Sequence, residues 1–173
     1  MEKNFVPECY FDTLLVKTIL NIKTINHQKC CTKVAITVKR IDDFAVGIID
    51  KDKKQIDYLQ EFNQEIVQEN QVLWKHKTKN HYFIQLAPAA EEWILNAAKE
   101  TGLDLNKIGL PNDLRGIMQF TKHESANENI LLINLCNELK KANGKTMGTL
   151  TLWLNYLFEN NRNADINIMK KWI

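Results

Sequence analysis

The stretch "FAVGIIDKD" (residues 44–52) decides the expected fold of this chain. It begins as an unbroken, mostly apolar run without polar alternation, which is typical of a central parallel strand that is buried on both faces. The run ends in Asp50 and Asp52, two carboxylates that stand one residue apart. We therefore predict a buried strand over residues 44–50 with two acidic side chains at its carboxyl end.

The segments around this strand alternate between the two kinds of secondary structure. Residues 32–41 fit either kind, because Val34, Ile36 and Val38 alternate as in a strand while Val34, Val38 and Ile41 share a helix face. Apolar residues at helical spacing predict helices over 10–23, 53–69 and 88–102. Short apolar or extended segments predict strands over 4–8, 24–27, 72–79 and 81–86.

After Gly102 the sequence is helical in character, over roughly 112–121, 125–142 and 147–160. Alternating strands and helices indicate an α/β fold, an open and mostly parallel sheet of about four strands flanked by helices. We expect residues 1–102 to form this α/β domain. Residues 103–173 are expected to form an all-helical C-terminal extension that packs on it as one compact unit.

Composition limits the classes of protein to consider. The chain has 173 residues and a formal net charge of +2, so it suits one domain and lacks the strong basic field of many nucleic-acid-binding proteins. Its start, "MEKNFVPECY", has no apolar signal region, and no run of about 18 apolar residues occurs. The four cysteines form no CxxC pair, and neither they nor the histidines have zinc-ligand spacing. We predict a cytoplasmic protein with free thiols.

Acidic residues follow two of the predicted strands. Glu8 ends the first strand, and Asp50 and Asp52 follow the buried one. In an open parallel sheet the carboxyl ends of strands gather at one edge, where ligands bind. Carboxylates that lie close together repel one another unless a cation neutralises them, and oxygen ligands suit Mg²⁺ or Mn²⁺. The alternative is a solvated turn or a helix N-cap.

The segment "ECYFDTLL" (8–15) resembles the E-G-Y-x-D-x-L motif of primase-type TOPRIM domains. The likeness covers about residues 4–100, from a Glu after the first strand to an apolar strand that ends in D-x-D. It implies that Glu8 is the general acid or base and a metal ligand. It also implies that Asp50 and Asp52 hold Mg²⁺, and that Asp12 can bind metal as in OLD-family nucleases.

Two features depart from the TOPRIM pattern. Cys9 stands where the family usually has a glycine, which allows close backbone approach to a substrate. The family's glycine-containing turn after the second strand is absent, since "HQKCCTK" (27–33) has no glycine. Both departures concern how the substrate approaches the site and leave the acidic residues intact.

Two further segments are similar to OLD-type nucleases. "EEWI" (91–94) is similar to their E-N-Y-L segment, which implies that Glu91 serves a second metal. The alternative is that acidic residues in a first helical turn stabilise the helix dipole. Lys122 in "QFTKHES" (119–125) matches a downstream lysine that could offset charge on the reacting phosphate. The alternative is an exposed lysine at a helix end.

Two groups of lysines are candidates for contact with a phosphate backbone. The first group, Lys75, Lys77 and Lys79, shares one face of a predicted strand near aromatic residues. Its alternative is an edge strand that lysines protect from aggregation. The second group surrounds the acidic pair and could offset its charge; it consists of Lys51, Lys53 and Lys54.

The segment "LTLWLNYLFENN" (150–161) is apolar on nearly all sides of a predicted helix. Such a helix either packs within the core or joins another molecule. The C-terminal helices could therefore bind a second copy of the chain or a protein partner.

Together these features favour a small Mg²⁺-dependent (or Mn²⁺-dependent) TOPRIM-type nuclease that acts on the phosphodiester bonds of DNA or RNA, in phage defence or nucleic-acid processing. The alternative is a non-enzymatic TOPRIM-like module that binds nucleic acid or a partner. A phosphotransferase of the haloacid-dehalogenase kind also places D-x-D after an apolar strand. It requires a small residue and then Thr or Val after the second Asp, whereas Lys53 and Lys54 follow here.

Overall fold

The structure, a computed structural model, describes residues 4–51 and 56–172. The described residues contain a single five-stranded sheet in which every strand is short. The two edge strands of this sheet are the first and the third in chain order. The strands are β1 (Phe5–Pro7), β2 (Ala45–Asp50), β3 (Phe62–Val67), β4 (Gln71–His76) and β5 (His81–Leu86).

The sheet is mixed, with the strand order β1-β2-β5-β4-β3. β1, β2 and β5 run parallel, whereas β4 is antiparallel to both of its neighbours, β5 and β3. The sheet thus has five strands where about four were predicted, and only β1, β2 and β5 have the predicted parallel arrangement. The links between β3, β4 and β5 are too short for the crossover that parallel pairing requires, so these strands pair as hairpins.

The helices confirm the α/β class and the helical character of the C-terminal part. The predicted helix over 88–102 is present as the third helix. Residues 32–41, which fitted two kinds of structure, lie almost wholly in the second helix. The described helices are α1 (Tyr10–Leu20), α2 (Cys31–Arg40), α3 (Ala90–Thr101), α4 (Leu114–Thr121), α5 (Ile130–Ala142), α6 (Lys145–Asn160) and α7 (Ile166–Lys170).

Two local predictions are wrong. Residues 24–27 form no strand; the segment crosses the end of β1, where the Gln28 N–H donates to the Pro7 carbonyl at 2.9 Å. Of the predicted helix over 53–69, residues 53–55 lie outside the described residues, and the described part is instead a 3₁₀ turn (Asp57–Glu61) that leads into β3. Its glutamines and glutamates favour a helix locally, but pairing with β4 overrides that preference, as is common for β-strands.

The sheet is covered on both faces, as the sequence of β2 predicts. On one face, α2 packs against side chains that include Ala45, Ile49 and Phe83. Gly47 lies under the Phe83 ring, where a Cβ atom would come within 2.3 Å of the ring, so this strand position requires glycine. On the other face, one apolar cluster joins the sheet to α1, α3, α5 and α6, and it includes residues from both 1–102 and 103–173.

The apolar helix over 150–161 contributes to this core. In α6, Leu150, Trp153, Leu154 and Leu157 are buried, while Leu152 is 49% exposed. The apolar character of this segment is therefore explained mainly by packing within the chain. None of the described helices has both the length and the apolarity that crossing a membrane requires.

Candidate functional site

A cavity of about 350 Å³ opens at the edge of the sheet where the parallel strands β1, β2 and β5 end. We call this cavity the acidic pocket. Four of the predicted site residues line it: Glu8, Asp50, Glu91 and Lys122. The other lining residues are Cys9, Tyr10, His27, Lys29, Thr121 and Glu124.

A second cavity of similar volume, about 360 Å³, lies between α2 and residues 56–58. Its lining is mostly apolar or uncharged, and Lys39 and Asp57 are its charged residues. The acidic pocket is therefore the better candidate for chemistry, because it brings together several ionisable groups from separate elements.

Backbone hydrogen bonds fix the two acidic residues at the strand ends. The Glu8 N–H donates to the Ile48 carbonyl at 3.0 Å, which extends the β1–β2 pairing by one residue. The Asp50 N–H donates to Glu8 Oε2 at 3.2 Å, and the Ala90 N–H donates to Asp50 Oδ1 at 2.9 Å. These bonds join β1, β2 and the start of α3 through the two carboxylates.

Asp12 lies behind the pocket wall and is completely buried, with 0% exposure. It forms a capping box with Cys9: the Asp12 N–H donates to Cys9 Sγ at 3.2 Å, and the Cys9 N–H donates to Asp12 Oδ2 at 3.3 Å. Cys9 is therefore the N-cap of α1. Among the described residues, Asp12 Oδ1 has no hydrogen-bond partner.

The electrostatic environment of Asp12 is unfavourable for its charged form. Burial raises the pKa of Asp12 well above its ordinary value, and the nearby charges of Asp50 and Glu8 raise it further. Hydrogen bonds with Cys9 act in the opposite direction, but each has a smaller effect on this pKa than burial or the charge of Asp50. A carboxyl group in such surroundings is stabilised either by a proton or by a cation.

Glu91 and Lys122 reach the acidic pocket from the start of α3 and the end of α4. Glu91 lies in the first turn of α3, is only 7% exposed, and accepts a hydrogen bond from Thr121 Oγ1 at 2.8 Å. This bond ties the start of α3 to the end of α4, and Lys122 is the next residue, exposed at the C-cap of α4. The structure thus places Glu91 and Lys122 beside Glu8 and Asp50.

The carboxylate oxygens around the acidic pocket are the kind of ligand that a hard cation prefers. One of them, the buried Oδ1 of Asp12, has no hydrogen-bond partner among the described residues. The spacing of the described side chains does not form a complete set of metal ligands. Within residues 4–51 and 56–172, no three Asp, Glu, His or Cys side chains are grouped closely enough to hold a metal ion. The predicted ligand Asp52 lies outside the described residues.

The sequence-based prediction missed an aromatic pair in the acidic pocket. The rings of Tyr10 and His27 stack with centroids 4.3 Å apart and planes inclined by 26°. Thr13 Oγ1 donates to the Cys9 carbonyl at 2.9 Å and also shares a hydrogen bond of 2.9 Å with His27 Nδ1. Tyr10 lies inside the TOPRIM-like motif, but His27 has no ligand spacing that could identify it.

The surroundings of His27 lower the pKa of its imidazole. Burial is the main cause and the charges of Lys29 and Lys17 add to it, while a hydrogen bond with the Cys9 backbone acts in the opposite direction. Lys29 is exposed on the same loop and also lines the acidic pocket. The loop after α1, predicted as a strand and a turn, therefore supplies two pocket residues.

The lysines predicted to contact nucleic acid are divided between two ends of the sheet. Lys75, Lys77 and Lys79 lie near the start of β5, whereas Asp50 pairs with Leu86 at its end, roughly 16 Å away along the strands. Lys75 Nζ donates to the carbonyls of His76 and Lys79, so it holds the β4–β5 turn. The remaining predicted lysines are Lys51, which is exposed next to Asp50, and Lys53 and Lys54, which lie outside the described residues.

Comparison of the chain with protein-family models, with curated proteins and with solved structures finds no match. A functional assignment therefore depends on the residues and geometry of the acidic pocket.

Proposed function

We propose that the protein is a metal-dependent nuclease whose active site is the acidic pocket. The observation that supports this proposal most strongly is the meeting of acidic residues from three separate elements. Glu8 follows β1, Asp50 ends β2 and Glu91 begins α3, yet all three line one cavity together with Lys122. Carboxylates from several elements at one cavity are the arrangement that metal-assisted phosphodiester chemistry uses.

Asp12, Asp50, Glu8 and Glu91 are the described residues that would hold Mg²⁺ or Mn²⁺. The electrostatics favour a cation at this place, because Asp12 is buried close enough to Asp50 and Glu8 for their charges to perturb it. A bound divalent ion supplies Lewis acidity toward the phosphate and makes a bound water more acidic. Asp52 is the further ligand that the TOPRIM resemblance implies.

The side chains of the chain itself have separate roles in this proposal. Glu8 accepts or donates a proton at the reacting phosphodiester, since it lines the pocket and its position is fixed by the Asp50 N–H. Lys122 offsets the negative charge that grows on the phosphate oxygens. Thr121 holds Glu91 in place by donating a hydrogen bond to its carboxylate.

A second candidate function is a non-enzymatic module that binds nucleic acid. Two observations favour it: the Glu8 and Asp50 carboxylates each accept a backbone N–H, and the described side chains include no three-residue metal cluster. In this alternative the carboxylates stabilise the strand ends, and Lys29, Lys51 and Lys122 meet the phosphates.

We place this activity in the cytoplasm, with DNA or RNA as the partner. The described thiols are free, in keeping with a reducing compartment: Cys9, Cys30, Cys31 and Cys136. We also propose that the C-terminal helices bind a second copy of the chain or a protein partner. The exposed side chain of Leu152 on α6 is available for such a contact.

The test is a cleavage assay with single- and double-stranded DNA and RNA, each in EDTA, Mg²⁺ and Mn²⁺. Wild type is compared with Asp50→Asn, because asparagine Oδ1 can still accept the Ala90 N–H while the charge is lost. Asp113→Asn is the matched control, since Asp113 caps α4 through the Gly116 N–H and lies outside the acidic pocket.

We expect cleavage of at least one substrate by wild type and by Asp113→Asn, only with a divalent cation. Asp50→Asn should reduce the rate by roughly 100-fold or more. Equal cleavage by Asp50→Asn and wild type, or no cleavage of any substrate by wild type, would refute the nuclease proposal.

A further inference from the structure

The stacked rings of Tyr10 and His27 form one wall of the acidic pocket, beside the carboxylates rather than among them. Both residues line the cavity and both are half-buried, although the Nε2 atom of His27 is itself buried. The wall is rigid, because Tyr10 begins α1 and His27 is held by Thr13 from the same helix. A fixed, partly exposed aromatic surface is a suitable platform for stacking a nucleobase.

Positive as well as negative charges lie beside this wall. The acidic lining residues Glu8, Asp50, Glu91 and Glu124 would repel a phosphate, whereas Lys29 and Lys122, which are both exposed, also line the pocket and would attract one. Lys29 is two residues from His27, so a positive charge lies close to the aromatic wall. This arrangement offers a flat apolar surface for a base and ammonium groups for the phosphates on either side of it.

The size of the cavity limits what can enter. Its volume of about 350 Å³ lies near the lower end of the range of roughly 300–1,000 Å³ that is usual for small-molecule pockets. Such a volume suits one nucleotide and is too small for a base pair. A duplex could therefore present its backbone to the rim but could not place a base against Tyr10.

We propose that the wall formed by Tyr10 and His27 binds one unpaired nucleobase, which makes the protein specific for single-stranded segments or ends of DNA or RNA. This inference rests on the proposed function only in taking nucleic acid as the ligand. It assigns the choice of substrate to residues that lie outside the predicted catalytic and metal-binding set.

The test measures binding without cleavage, by fluorescence anisotropy in EDTA. The probes are a single-stranded DNA oligonucleotide, the matching RNA, the same DNA strand with abasic sites, and the DNA duplex. We expect wild type to bind intact single strands roughly tenfold more tightly than the abasic strand, and more tightly than the duplex. The strand that binds more tightly, DNA or RNA, identifies the preferred type of nucleic acid.

Two variants locate the effect. Tyr10→Leu should lose roughly tenfold in affinity for the intact strand and should bind intact and abasic strands equally. Tyr10→Phe keeps a ring and should retain the wild-type preference. The matched control is Tyr156→Leu, which removes an aromatic ring that packs on Trp172 at a distance from the acidic pocket.

The outcomes separate this inference from the nuclease proposal. A preference for intact over abasic strands that depends on Tyr10 supports the aromatic wall, even if no metal promotes cleavage. If wild type binds intact and abasic strands equally, Tyr10 and His27 do not bind a base, even if cleavage depends on Asp50. The comparison of strands uses the wild-type protein, so it stays decisive if Tyr10→Leu fails to fold. Failure of wild type to bind any strand also overturns the inference.

Discussion

The Asp50 N–H donates to Glu8 Oε2 across 3.2 Å, although the two residues are 42 positions apart in the chain. This contact depends on the parallel pairing of β1 with β2, which brings Pro7 opposite Ile48 and so places Glu8 beside Ile49, one residue before Asp50. The carboxyl edge of the parallel strands therefore fixes the acidic pocket. Because a glutamine side chain can also accept this hydrogen bond, Glu8→Gln removes the charge and keeps the contact.

Glu8→Gln should retain the fold and lose activity. Glutamine Oε1 can still accept the Asp50 N–H, so we expect the melting temperature to change by only a few degrees. Cleavage should fall roughly 100-fold or more, because the amide cannot exchange a proton. Circular dichroism melting and single-turnover kinetics check the two parts. Unchanged kinetics would show that Glu8 has only a structural role.

Asp12 should make stability depend on pH in the metal-free protein. Its pKa in the folded state is raised above the unfolded value, so the folded state binds the proton more tightly. The contribution of Asp12 to the free energy of unfolding is therefore fully present below the ordinary pKa of aspartate, and it is lost as the pH rises through the raised value.

Asp12→Asn should remove this decline and raise the free energy of unfolding at pH 8 by about 1 kcal/mol or more. Urea unfolding in EDTA between pH 4 and pH 8 measures both proteins. If the free energy of unfolding changes with pH in the same way in wild type and Asp12→Asn, Asp12 is not the cause of the decline. Mg²⁺ at pH 8 should stabilise wild type more than the variant, because the cation takes over the role of the proton.

Thr121→Val should destabilise the fold by about 1–3 kcal/mol at pH 7, because it removes the hydroxyl donor from the buried Glu91 carboxylate. Thr151→Val is the matched control. Thr151 Oγ1 is buried without a hydrogen-bond partner among the described residues, so its loss should be neutral or stabilising. Chemical denaturation compares the two variants; equal destabilisation would mean that the Thr121–Glu91 bond contributes nothing specific.

Lys122→Gln should slow cleavage by roughly 10- to 100-fold, since Lys122 lines the acidic pocket. Lys79→Gln should have a much smaller effect, because Lys79 lies in the turn before β5, at the opposite end of the strands from Asp50. Rates at low ionic strength reveal the difference most clearly. A larger effect of Lys79→Gln would instead support the predicted role of the basic strand in nucleic-acid contact.

The features that could be predicted from sequence are those that local pattern determines. β2 was predictable because burial on both faces leaves an unbroken apolar run, and α3 because a proline and two acidic residues precede its apolar positions and Gly102 ends it. The place of Glu8 and Asp50 at one edge followed from the parallel strands that carry them.

The features that were missed depend on long-range pairing. β3 has the composition of a helix and becomes a strand through its pairing with β4. His27 reaches the acidic pocket because its loop crosses the end of β1, and the neighbouring sequence has no pattern that predicts this path. Cys9 stands at the position of a glycine in the TOPRIM motif that this segment resembles, and in the structure it caps α1, a role that the resemblance did not predict.

The central claim is that the acidic pocket binds a divalent cation, and direct titration with Mn²⁺ tests it most closely. Electron paramagnetic resonance measures free Mn²⁺ as protein is added, without nucleic acid. We predict saturable binding by wild type and by Asp113→Asn, and a loss of roughly tenfold or more in affinity for Asp50→Asn. No saturable binding by wild type, or equal affinity in wild type and Asp50→Asn, would contradict the claim.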